Sequence, residues 1–287
     1  MRVALLLLSA AACRGGAPAS PPPTDRVVLA DSAVVPIEVD RDGRAVVAVT
    51  LNGRGPYRLA VETGSPDVLL SSAVVSSLSL PGAGGENHRL DSLRIGGALV
   101  RGLVVSRSDA FAPLGVDGVL GLDAYRELLL TVDYPGSRLV LSRGSLPAAD
   151  GVEVLRAVRV GPFVGVELEV GDVREIGVID TQGGVGFQAL PEVATRFRFE
   201  DSLRVVGRAV VGGTAPVDVR AGRLAGDLRM GAHRFERPRI AVHPLPPDIP
   251  SRMTIGTRVL RNFVLTLDQR AMLVRLARSD STAIQDA

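Results

Sequence analysis

Lysine and tryptophan are absent from the 287-residue sequence, and cysteine occurs once. Each shortage excludes something. A lone Cys13 permits no intrachain disulfide framework. Without lysine, every one of the 33 basic residues is an arginine, and 31 acids balance them to a formal net charge of +2. The arginines are scattered and aromatics make up only 3%. A nucleic-acid-binding face needs concentrated positive charge with interleaved aromatics, so no nucleic-acid partner is expected. Only three histidines occur, His88, His233 and His243, and none stands in a His-x-x-x-His or Glu-x-x-His spacing. No metal or cofactor is therefore expected. No stretch beyond the N-terminus approaches the roughly 18 apolar residues of a membrane span. What is abundant is aliphatic: hydrophobic residues make up 46%. The core must be built from Val, Leu, Ala and Ile, and Val-rich alternating segments favour strands over helices. The length suits two compact lobes or one large β domain.

The N-terminus reads as an export signal. Arg2 precedes an apolar run from Val3 to Leu8, then Ser9-Ala10-Ala11-Ala12-Cys13. A positive start, a short apolar stretch and small residues mark a secretory signal. Small residues before a cysteine also resemble the bacterial lipobox, where cleavage leaves a lipid-bearing cysteine; ordinary cleavage nearby is the alternative. The resulting expectation is a signal peptide at 1–12 and a lipid-anchored, Pro-rich tether at 13–26. The protein would then be exported to a bacterial envelope or periplasm and touch the membrane only through Cys13. Residues 281–287 are expected to be a disordered tail.

Strand patterns dominate the body. Val34–Val39 and Ala45–Leu51 alternate, and Asn52-Gly53 signals a hairpin turn before Tyr57–Glu62. Helical candidates are few and short: Ser71–Leu78, Ala124–Leu128, Pro191–Phe197 and Arg258–Phe263. The chain also repeats itself. Leu93-Arg94-Ile95-Gly96 matches Leu228-Arg229-Met230-Gly231 at an offset of 135. Val119-Leu120-Gly121-Leu122 matches Thr254-Ile255-Gly256-Thr257, and Leu129–Asp133 matches Val264–Asp268, at that same offset of 135. Glu62-Thr63-Gly64 matches Asp180-Thr181-Gln182-Gly183 at 118. The two offsets differ by about 17 residues, which an extra hairpin at Arg204–Arg220 would absorb. Two tandem halves predict a pseudo-twofold molecule, with lobes at 27–150 and 151–280 and a cleft between them.

Each half places one acid at the end of an apolar strand, Glu62 after Leu59-Ala60-Val61 and Asp180 after Gly177-Val178-Ile179. The Thr and Gly that follow suit a tight turn whose donors face the acid. If the twofold axis brings the turns together, two carboxylates meet and cannot both ionise easily. Such a pair activates water: one member takes a proton from it while the other gives one to a carbonyl oxygen.

These residues resemble the aspartic peptidases, especially the bacterial retropepsin-like group with two tandem lobes. In that family each lobe supplies an Asp-Thr-Gly motif and a later hydrophobic–hydrophobic–Gly segment. Here the latter are Val119-Leu120-Gly121 and Thr254-Ile255-Gly256. Leu51–Tyr57 and Asp117–Asp123 share the likeness, which covers about residues 33–278. The resemblance implies an all-β fold of two pseudo-twofold-related aspartic-peptidase-like lobes with a central cleft. It implies Glu62 and Asp180 as catalytic residues, with Thr63, Gly64, Ser65, Thr181, Gln182, Gly183, Gly121 and Gly256 supporting them. The threonines would brace the turns, and hairpins near Leu93–Val105 and Leu228–Val242 would form flaps over the cleft. A monomer acting on a peptide or protein substrate is expected. Two positions depart from the pattern: Glu62 stands where the family has Asp, and Gln182 where it has Gly. A side chain at Gln182 is expected to reshape the turn or narrow the cleft. A lapsed homologue that binds extended peptides or an envelope partner is the alternative. Ser65 lacks a Gly-x-Ser-x-Gly setting and a partnering histidine, so a serine nucleophile is not expected. Asp133 and Asp268 each precede a turn and are read as turn residues.

Overall fold

The computed structural model describes residues 5–6, 26–210, 216–245, 250–278 and 284. The expected signal peptide, Cys13 and the tether lie outside the described residues, apart from Leu5–Leu6 and Arg26. Of the expected tail only Ile284 is described; it is buried and bridged to Phe235.

The described chain is all-β, with short helical turns at Ser72–Ser77, Pro191–Ala194 and Thr257–Leu260 and 3-10 turns at Ala112–Leu114 and Leu122–Tyr125. Each element follows from local chemistry. Ser71 caps the first helix, its hydroxyl accepting from the Val74 amide, while Val74 and Val75 turn into the core. Ala45–Leu51 and Arg54–Val61 pair as an antiparallel hairpin. Its turn residues Asn52 and Gly53 have φ of 47° and 75°, the left-handed geometry that a two-residue hairpin needs and Asn-Gly supplies. The second half repeats the hairpin with Phe163–Val170 and Val173–Ile179. The extra hairpin is present as Arg204–Val210 paired with Val217–Arg223.

In each half the acid-bearing strand lies parallel to a short strand ending just before a glycine. Arg54–Val61 runs beside Gly118–Leu120, and Val173–Ile179 beside Met253–Ile255. The Glu62 amide then donates to the Leu120 carbonyl at 3.0 Å, and the Asp180 amide to that of Ile255 at 2.9 Å. Both acids therefore leave their strands at equivalent points.

A six-stranded antiparallel sheet joins the halves. Its order is Val154–Arg156, Leu273–Ala277, Val264–Asp268, Leu129–Asp133, Arg138–Ser142, Ser32–Pro36. The seam pairs Leu130 with Leu267, Thr131 with Thr266 and Val132 with Leu265. Thr131 and Thr266, 135 residues apart, meet hydroxyl to hydroxyl at 2.9 Å. The pseudo-twofold axis passes between them. One hydrophobic cluster runs from Val61 and Leu120 through Leu130 and Leu267 to Ile179 and Ile255, so the lobes share a core.

The hairpins expected to be flaps are not flaps. The turn between Asn87–Ile95 and Ala98–Arg107 packs on the joining sheet: a Cβ at Gly96 would lie 2.6 Å from Val35. A Cβ at Gly231, in the matching turn of the second half, would lie 2.4 Å from Leu155. Leu90, Leu93, Ile95, Leu228 and Met230 are all buried, and their burial draws these hairpins down against the sheet. Asp133 and Asp268 do cap turns, accepting from the amides of Gly136 and of Arg270 and Ala271.

The threonine seam is testable. Thr131→Val alone leaves the hydroxyl of the buried Thr266 without its partner and costs about 1–2 kcal/mol. Thr131→Val combined with Thr266→Val is expected to be less destabilised than the two single variants summed. Urea unfolding of the four proteins measures the difference.

Candidate functional site

The two acidic turns meet on the axis. The Thr63 amide donates to Thr181 Oγ1 at 3.0 Å, and the Thr181 amide to Thr63 Oγ1 at 3.1 Å. Each hydroxyl donates onward across the interface, Thr63 to the Ile179 carbonyl and Thr181 to that of Val61, both at 2.7 Å. Both threonines are buried, and their four polar groups are satisfied only by the opposite half. The hydroxyls thus brace the turns and do not serve their own acids.

The bracing sets the carboxyls side by side. A Cβ at Gly64 would lie 2.8 Å from Glu62 Oε1 and 3.0 Å from Asp180 Oδ1, so both oxygens sit within a few ångströms of each other over a residue that must be glycine. Each carboxyl acts on the other's proton affinity, and Glu62 Oε2 is buried with no other partner among the described residues. Glu62 Oε1 also accepts from the Gly64 amide at 2.6 Å. Asp180 Oδ1 accepts from two amides, Gln182 at 3.0 Å and Gly183 at 2.8 Å. Glu62 is wholly buried, with 0% exposure, while Asp180 is partly exposed.

This asymmetry assigns the proton. Burial, then the charge of Asp180, pushes the Glu62 carboxyl well above its ordinary range. Burial also raises Asp180, but two amides and the hydrogen bond from Glu62 work against it. Two amides on Asp180 against one on Glu62 favour the charge on Asp180 and the proton on Glu62.

The supporting residues lie as follows. A Cβ at Gly121 would fall 2.1 Å from the Asp67 carbonyl, and one at Gly256 2.3 Å from that of Val185. Backbone passes too close behind each turn for any side chain. Ser65 is buried and donates to the Asp67 carbonyl at 3.0 Å, which folds the turn back on itself. Gly183 leaves room for Asp180, whose Oδ2 would be 2.8 Å from a Cβ there. Gln182 neither distorts its turn nor juts into open space. It keeps a negative φ and is buried, and its Nε2 donates to the Val61 carbonyl at 3.0 Å, beside Thr181. The departure from glycine thus adds a hydrogen bond between the halves.

Sequence reasoning missed three residues here. Arg44, buried, donates from Nε to the Gln182 carbonyl at 3.1 Å. Tyr125 and Tyr134 are buried, and among the described residues neither hydroxyl has a hydrogen-bond partner. Burial above all pushes both phenols up, joined at Tyr134 by the neighbouring Asp180. No motif surrounds any of them, although the chain has only three tyrosines, so rarity was the one available signal. A cavity of about 120 Å³ lies beside Gln182, lined by Arg44, Val46, Ala60, Leu114 and Val116 among others, and neither carboxyl lines it.

The chain has two all-β lobes related by a pseudo-twofold axis, with one acid from each at their junction. Neither family models nor curated proteins match the chain. Among solved structures it is similar to a retropepsin-like aspartic protease from Rickettsia conorii, at 17% sequence identity and a TM-score of 0.30. That match covers 42% of this chain and 94% of the other. The architectural reading rests instead on the chain's own paired turns, parallel strand pairs and shared sheet.

Two outcomes follow. Gly121→Ala and Gly256→Ala should each cost about 3 kcal/mol or more, or prevent folding, because a Cβ must displace backbone. Gly97→Ala, with open space around it, is the control expected to be close to neutral by thermal melting. The second outcome concerns pH. Glu62 and Asp180 have folded values raised above the ordinary 4.5 and 3.8. The folded state binds protons more tightly than the unfolded one, so this contribution is fully present below those values and is lost as pH rises through the folded ones. Stability should fall as pH rises above 4.5, and Glu62→Gln should flatten that slope in urea titrations.

Proposed function

We propose that the chain is an aspartic-type endopeptidase that hydrolyses peptide bonds through the Glu62–Asp180 pair. The supporting observation is the pair itself: one carboxyl from each half, both over Gly64, in turns braced to each other, with proton affinities raised above the ordinary range. Asp180 takes a proton from a water lying against the pair, and the water oxygen adds to the scissile carbonyl carbon. Glu62 gives its proton to the carbonyl oxygen. As the gem-diol collapses, Asp180 passes its proton to the amide nitrogen, the C–N bond breaks, and Glu62 takes a proton from a gem-diol hydroxyl as the carbonyl re-forms, which returns the pair to its starting state. The chemistry needs no metal and no nucleophilic side chain. The substrate is an extended peptide or protein segment, and the monomer would work in a bacterial envelope, tethered through Cys13.

One observation favours the second reading, a lapsed homologue that binds peptides. Glu62 has no exposed surface, so substrate can reach the pair only from the side of Asp180. The two readings separate experimentally. Cleavage of a peptide library between about pH 3 and pH 7 should be detected with the unaltered protein and lost by at least about 100-fold in Asp180→Asn. Glu62→Asp with Gln182→Gly should lower activity, because the site is built around the longer acid and the added hydrogen bond. Undiminished cleavage by Asp180→Asn would sink the mechanism, and activity seen only in the doubly substituted protein would establish the lapsed form.

A further inference from the structure

We infer that Arg44 is a positioning residue for the acid pair: reaching over from the first half, it locks the second half's acidic turn, whose amides hold the carboxylate of Asp180.

The geometry begins with the loop Asp40–Arg44. Gly43, with φ of 85°, packs against Thr257, where a Cβ would come within 3.0 Å. Thr257 Oγ1 donates to the Asp42 carbonyl and, at 3.0 Å, to the Gly183 carbonyl. The loop is thereby held on the second half, directly beside the Asp180 turn. From it the Arg44 side chain, only 6% exposed, runs along that turn. Nε donates to the Gln182 carbonyl, and Nη2 would stand 2.8 Å from a Cβ at Gly184. The amides of Gln182 and Gly183 in that same turn are the donors to Asp180. Holding the Gln182 carbonyl back aims the amides forward.

Charge acts in the same direction. The guanidinium is paired with Asp42 at 2.8 Å and Asp40 at 3.2 Å, but these carboxylates are 46% and 39% exposed and water screens them. Arg44 is buried, so its field reaches inward with less screening. It lowers the proton affinity of both carboxyls, against the pull of their burial. The other ionisable groups acting on the pair are Tyr125 and Tyr134, both neutral. The arrangement is one-sided. At the offset of 118 that relates the acids, Arg44 corresponds to Pro162, which has neither charge nor donor.

This inference rests on the pair acting as a unit but not on turnover, so it can be tested in a protein without peptidase activity. Carbon-13 titration of the Glu62 and Asp180 carboxyls in the full chain is the readout, with melting curves to verify folding. In Arg44→Gln the pair should lose its first proton about one pH unit higher, a tenfold gain in proton affinity. Arg44→Lys keeps the charge and should move less than half as far. A folded Arg44→Gln with an unmoved titration would overturn the proposal, as would an equal shift in Arg44→Lys. If Arg44→Gln does not fold, Asp42→Asn decides. Freeing the guanidinium of one partner should move the titration to lower pH, whereas Glu38→Gln, which unpairs Arg58, should not. Equal effects of those two variants would count against Arg44.

Discussion

Everything at the centre of this molecule depends on the crossed hydrogen bonds between Thr63 and Thr181. Each threonine offers two donors, its amide and its hydroxyl, and one acceptor to the other half, and each is deeply buried. A buried polar network stabilises only when every member is satisfied. Moving one half by an ångström would break all four bonds together, leaving orphaned groups out of reach of water. The carboxyl separation is therefore a property of the threonines more than of the acids. At the far end of the axis the Thr131–Thr266 contact ties the shared sheet in the same self-matching way. The interface is pinned at two heights and cannot pivot freely about either.

The price of this closure is a charge in a poorly hydrated place. The fold meets it by several routes at once: one proton shared between two carboxyls, two amides aimed at Asp180 and one at Glu62, and a buried guanidinium behind the turn. The routes are unequal for the two acids. That inequality, rather than the one extra methylene, separates their roles. Gln182 fits this picture, since its side chain turns down toward the other half and leaves the space above the pair clear.

How much of this was legible in the sequence depended on whether the constraint was local. Asn52-Gly53 announced its hairpin because the turn demands two left-handed residues, and Ser71 announced a helix start because its hydroxyl caps one. Gly121 and Gly256 were legible as a spaced pair because close backbone passage admits only glycine. The extra hairpin was legible as a difference between two repeat offsets. The hairpins misread as flaps were visible as hairpins, but which end they cover is decided by contacts with Val35 and Leu155, distant in sequence. Arg44 was one of 33 arginines, and nothing about its neighbours distinguished it. The direction of the Gln182 side chain depends on a carbonyl 121 residues away.

The joining of both halves in one chain has an evolutionary consequence. Residues related by 118 or 135 positions face each other across the axis, as two copies of one half would if they paired with themselves. In a self-paired half every substitution arrives twice, on both sides of the axis, and a change that helps one acid burdens the other. Linking the copies removes that restriction. Glu62 and Asp180, Gly64 and Gln182, Arg44 and Pro162 are positions at which the two halves differ, as the copies of a self-paired half could not.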